Sequence, residues 1–182
     1  EFWEDFEDTD DESEDDKRAA ALKKTTELRK ITEAKLAENQ HQYAKFSEKL
    51  KELIERMDDQ QLSWGEKLKA AQEYAKQLDE EGKAYEGTGM SLEGHALLKV
   101  IEAIEGDDVD ADTQRQLAET AEQLYSDIDL APKLWHTKEG LRKELRQRVR
   151  SAAHQLGCKQ LKQLPIEIEQ IAIKHFARSQ HE

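Results

Sequence analysis

Leucine, isoleucine and aromatic residues recur every third or fourth position along most of the chain, with polar residues between them, which is the periodicity of helices buried along one stripe. From Lys17 to about Ala37 the pattern is loose, with Leu22, Leu28, Ile31 and Leu36 set among charges, and predicts a long, mostly exposed helix. After Asn39 and Gln40 it sharpens into Tyr43, Phe46, Leu50, Leu53, Ile54 and Met57, a stripe that must face a core. Ser63 and Glu66 then form a capping box in front of a third helix carrying Leu68, Ala71, Ala75 and Leu78 and ending near Gly82. Gly87, Thr88 and Gly89 make a hinge-like connector, and Ser91 caps a fourth helix through Leu92, Ala96, Val100, Ile101 and Ile104, stopped by Gly106.

Asp110 or Asp112 caps a fifth helix bearing Leu117, Ala121, Leu124, Tyr125 and Ile128, with Pro132 marking the break after it. A sixth is predicted over residues 137–156, with Leu141, Leu145, Val149, Ala152 and Leu156 inside and Gly157 as its C-terminal cap. A seventh starts at Pro165 and uses Ile166, Ile171, Ala172 and Phe176. The expectation is an all-α fold, a compact bundle of about seven helices, with an acidic linker or flexible tail over residues 1–17 and one helical assembly domain over residues 18–182. No repeat of fixed period points to a solenoid.

Composition agrees: charged residues make up 38% of the 182 and hydrophobic ones 36%, with only 2 prolines. The net charge of -13 would repel nucleic acid if evenly spread, but residues 1–132 hold 17 Lys and Arg against 36 Asp and Glu, while residues 133–182 hold 11 against 5. The first 16 residues alone contain 11 acids with Phe2, Trp3 and Phe6 among them, the composition of a solvated tail. The lone Cys158 has no partner for an internal disulfide, so a reducing, cytoplasmic setting is expected. No apolar run approaches the roughly 20 residues that span a bilayer, and no signal-peptide pattern opens the chain. The absence of an initiator Met reads as a piece of a longer protein.

Local signatures of catalysis are missing, and no catalytic residue, cofactor site or metal site is expected. Gly82 and Lys83 lack the rest of a phosphate loop, and the histidines at 41, 95, 136, 154, 175 and 181 show no zinc spacing. His95 on its apolar stripe and Cys158 read as core residues. Asp108, Asp110, Asp112 and Glu119 match four positions of a calcium loop, but Thr113 stands where the sharp turn needs glycine and Arg115 where an apolar residue packs, so a solvated loop before a capped helix is the expectation. The basic end is more informative. Lys138, Arg142, Arg146 and Arg150, spaced by four, form one stripe on the sixth helix away from Leu141, Leu145 and Val149. Such a stripe can hold DNA phosphates, face an acidic partner surface, including this chain's own acidic half, or be an ordinary solvated face.

Three segments together resemble the C-terminal helical region of the R (motor) subunit of type I restriction enzymes. They are the aromatic, Ser-Glu, Leu and Ile stretch from Asn39 to Ile54, the connector Gly89-Met90-Ser91-Leu92-Glu93, and the basic helix opening with Trp135-His136-Thr137-Lys138 and running to Arg146. The resemblance covers roughly residues 20–157, with departures at Gln40, where a proline is usual, at Leu134, where an acid is usual, and at Cys158 and Lys159, in place of Tyr-Pro. It implies a parent ATP-dependent translocase and site-specific deoxyribonuclease whose catalytic residues lie outside this chain. The helical part is implied to dock that subunit on the methyltransferase core and to contact the motor lobes or DNA. The alternative is a DNA-binding module using Lys138, Arg142, Arg146 and Arg150, and a third reading is an acidic helical scaffold unrelated to restriction.

Overall fold

The computed structural model describes residues 13–177, and the stretch expected to be a tail lies outside them up to residue 12. Seven α-helices and two 3-10 turns account for the regular structure of the described residues, with no strand among them. The all-α expectation is met. The chain divides into two compact units, residues 1–84 and 85–182.

In the first unit, α1 (Glu14–Glu38), α2 (Gln40–Asp58) and α3 (Trp64–Gly82) pack pairwise around one core. Helix α1 begins three residues before Lys17, because the Ser13 side chain accepts a hydrogen bond from the Asp16 amide and Glu14, Asp15 and Asp16 suit the positive end of the helix dipole. Its buried seam is Ala21, Thr25, Leu28 and Thr32, half of it polar, and of these four hydropathy discloses only Leu28. Thr25 and Thr32 satisfy their hydroxyls by donating to the carbonyls of Ala21 and Leu28, four residues back. One residue joins α1 to α2: extended Asn39 donates its amide to Lys35 and accepts from the Gln42 amide, capping both helices. Tyr43, Phe46, Leu50, Leu53 and Met57 are buried as predicted, and α3 starts with the expected reciprocal Ser63–Glu66 capping box.

Tyr74 ties these helices together. Its Oη lies 2.6 Å from Thr32 Oγ1 on α1 and donates to the Phe46 carbonyl on α2 at 3.2 Å, while its ring meets Phe46 edge-on. With the Thr32 contact to Leu28, two hydroxyl protons are shared among three contacts, so every buried oxygen here has a neighbour. Lys67 is also buried, its ammonium donating to the Met57 carbonyl at 2.7 Å and lying over the Trp64 ring.

The second unit contains α4 (Leu92–Glu105), α5 (Ala111–Ser126), α6 (Glu139–Gln155) and α7 (Leu164–Phe176). Helix α4 packs on α5 and α7, and α5, α6 and α7 pack on one another. Leu97, Val100, Ile101, Leu117, Tyr125, Trp135, Leu145, Val149, Leu164 and Ile168 fill the core. The Tyr125 ring sits 5.0 Å from that of Trp135 and 6.1 Å from that of Phe176. The predicted caps Ser91, Gly106 and Asp110 are in place, and Gly87, Gly89, Gly106 and Gly157 all take positive φ. Arg115 on α5 donates to the Thr88 carbonyl, so the Gly-Thr-Gly connector is held rather than free.

Three apolar positions read as inward-facing are exposed. Ile128 is 76% exposed because α5 ends at Ser126, after which helical periodicity no longer assigns a face. Leu92 and Ile166 lie in the first turns of their helices but off the buried side, which is taken by Gly94 and His95 in α4 and by Leu164, Pro165, Ile168, Ile171 and Ala172 in α7. The sixth helix is also shorter than predicted. Residues Trp135–Thr137 form a separate 3-10 turn that buries the Trp135 ring, Leu134 before it is left-handed with φ 62°, and Lys138 is extended, so α6 starts at Glu139.

Candidate functional site

The stripe on α6 is the strongest concentration of positive charge that the sequence reading singled out, and its members have different surroundings. Lys138 is exposed and lies at the N-cap, off the helical face. Arg142 and Arg146, one turn apart, both turn toward α7 and the carboxylate of Glu169, whose side chain is only 2% exposed. Arg142 donates from Nε and Nη2 to the two Glu169 oxygens at 3.1 Å each, a two-pronged pair, and Arg146 donates to Oε2 at 3.0 Å. Glu139 completes the cluster, accepting from Arg146 at 2.8 Å and lying 3.4 Å from Arg142. Two guanidinium and two carboxylate groups thereby balance each other, and the hydrogen bonds to Glu169 raise the Arg142 pKa further. Arg150 donates from Nε to the Leu161 carbonyl, which anchors the chain between α6 and α7, yet the residue stays exposed.

Glu169 escaped the sequence reading, although a signal was there. It stands four residues after Pro165 and seven before Phe176, on the buried side of α7, and an acid on that side needs a cation from a neighbouring helix. Glu105 is a second buried acid of this kind. It ends α4 and accepts from the amides of Lys159 and Gln160 at 2.9 and 2.8 Å, fixing the start of the segment between α6 and α7. Cys158 beside it is buried, and burial together with the Glu105 charge pushes its thiol pKa up. That is the setting of a packed thiol rather than an activated one.

The remaining candidates have structural employment. Asp110 accepts from the Thr113 amide and hydroxyl as the cap of α5, which lowers its pKa, and Glu119 pairs with Arg115 at 2.9 Å. Two of the four calcium-loop carboxylates, Asp110 and Glu119, are therefore engaged as a cap and an ion pair. His95 is buried among the core residues of α4. Among the described residues no group of three or more His, Cys, Asp and Glu side chains is placed to share a metal ion. No helix among them is long and apolar enough to cross a membrane.

The described residues thus form an all-α protein whose buried acids Glu169 and Glu105 tie its helices and connectors together. A family model described as "Type I restriction enzyme HindI endonuclease subunit-like, C-terminal" matches residues 4–174, and the chain belongs to that family. The match runs beyond the roughly 20–157 over which the resemblance is legible, taking in most of α7 and its Glu169. A type I restriction enzyme subunit family implies a multisubunit complex. Comparison with curated proteins and with solved structures finds no significant match.

Proposed function

We propose that this chain is a docking domain of a type I restriction motor subunit, joining the ATP-dependent translocase and endonuclease subunit to its methyltransferase core and making no bond chemistry itself. Membership of a C-terminal endonuclease-subunit family over residues 4–174 carries the reading. The employment of Glu169, Glu105, Arg142 and Arg146 in holding helices together supports it, because what remains at the surface is helix faces suited to recognition. No cofactor is assigned to the chain in this reading, and the contacts with the motor lobes belong to the same proposal. Co-purification with the cognate methyltransferase tests it: the chain should be retained, and deleting it from the parent subunit should release that subunit. No retention, with the complex intact after deletion, would reject the docking role.

A DNA-binding role for the stripe is the second reading, favoured by the exposure of Lys138 and Arg150. Its affinity for a DNA duplex should fall steeply with added salt and drop on charge reversal at those two positions. Reversal at Arg142 or Arg146 would remove one of the two arginine partners of Glu169 and perturb folding as well, so those variants report on stability before they report on DNA. Undetectable binding at low salt eliminates this reading. Family membership removes the third reading, an acidic scaffold unrelated to restriction.

A further inference from the structure

Arg142 and Arg146 direct their charge inward to Glu169, and this changes what the outer side of α6 offers. An open groove of about 590 Å³ runs along α6 with the start of α7 as its other wall, lined chiefly by Lys143, Arg146, Arg150, Ser151, Glu139 and Ile166. Among the described residues, Lys143 is exposed and makes no ion pair or hydrogen bond, and Arg150 is exposed with a hydrogen bond from its Nε alone. Ile166 is 45% exposed although α7 buries Leu164 and Ile168 nearby. The groove therefore combines two outward cations with an apolar contact, and Arg146 also lines it, its guanidinium bonded to Glu169 and Glu139.

We propose that this groove is a docking site for an acidic polypeptide segment of a partner subunit, one that carries an apolar side chain between carboxylates. The inference rests on the docking reading above and names its surface. The carboxylates meet Lys143 and Arg150, and the apolar side chain lies against Ile166 and the lysine and arginine stems. The volume is in the range that holds one large side chain with its flanks. A nucleic-acid backbone fits less well, because it presents no apolar group for Ile166.

The experiment uses the whole chain in three forms: the native sequence, Lys143→Glu with Arg150→Glu, and Ile166→Ser. Circular dichroism and melting temperature first establish that each form is folded. Retention by the cognate methyltransferase complex is then measured alongside binding of a fluorescein-labelled peptide of six glutamates around one phenylalanine, and of a labelled 16-base-pair duplex. The expected result is a tenfold or greater loss of methyltransferase affinity in the double charge reversal, a smaller loss in Ile166→Ser, and parallel losses for the peptide. If the native chain binds the methyltransferase and both folded variants bind within twofold of it, the groove is overturned and docking stands. If the native chain binds the peptide in a Lys143- and Arg150-dependent way but not the methyltransferase, docking on that core fails and the groove stands. Binding of neither, or binding of the duplex more tightly than the peptide, overturns the groove.

Discussion

Glu169 shows how a single side chain can decide the meaning of a charged stripe. Read as spacing alone, Lys138, Arg142, Arg146 and Arg150 are four equivalent cations. With one buried carboxylate opposite them, the middle pair turns inward and becomes part of the packing of α6 on α7. Glu169→Gln should therefore destabilise the second unit. Removing one partner of a fully buried pair costs about 3–5 kcal/mol. The guanidinium side chains here keep 29% and 26% exposure, so a loss on the order of 2 kcal/mol is expected from urea unfolding. An unchanged midpoint would show that the cluster contributes nothing net. Tyrosine ionisation gives a second expectation at this scale. Burial, with Glu38 and Glu81 nearby, pushes the Tyr43 phenol up to about 12 from 10.0. Between those values the unfolded chain releases the proton and the folded chain retains it, so stability is full below pH 10 and falls as pH rises through the window. The melting temperature should decline from pH 9 to pH 11, and less so in Tyr43→Phe; parallel declines would place the cause elsewhere.

Elements with a strong apolar stripe or a capping residue were legible from the chain, because both signals are local. Helices α2 and α3, the Ser63–Glu66 box, the Ser91 and Asp110 caps and the glycine stops need only neighbouring residues to be recognised. What could not be read was set by partners far away in sequence. The α1 seam of alanine and threonine acquires its meaning from Tyr74, 42 residues on from Thr32, and Glu169 acquires its meaning from Arg142, 27 residues earlier. The inward arginines belong to the same class of omission, which is why the candidate site was only half legible: residue types and spacing were visible, but not which cations α7 claims. The caps are open to direct test. Ser91 accepts from the Gly94 amide at 2.9 Å, and Ser91→Ala should cost about 1 kcal/mol. Equilibrium unfolding measures that cost, and hydrogen exchange should show the faster amides confined to the first turn of α4. Loss spread evenly through the helix would contradict a local cap.

For the molecule as a whole, the telling observation is that each unit has its own oily interior, with Phe46 and Leu53 in one and Leu97 and Trp135 in the other. A fragment of residues 85–182 should then be helical and melt cooperatively, as judged by circular dichroism. A broad, non-cooperative melt would mean that its interior is incomplete without the first 84 residues. Within that first unit, the phenol oxygen of Tyr74 reaches α1 and α2 from α3, so a single atom belongs at once to all three rods. Shifting any rod by a turn would strand that oxygen in a dry interior, at a cost of about 1–3 kcal/mol that favours the observed setting. A pull on α1 would be handed to its companions through this pin, abruptly and in full, until the pin gives way.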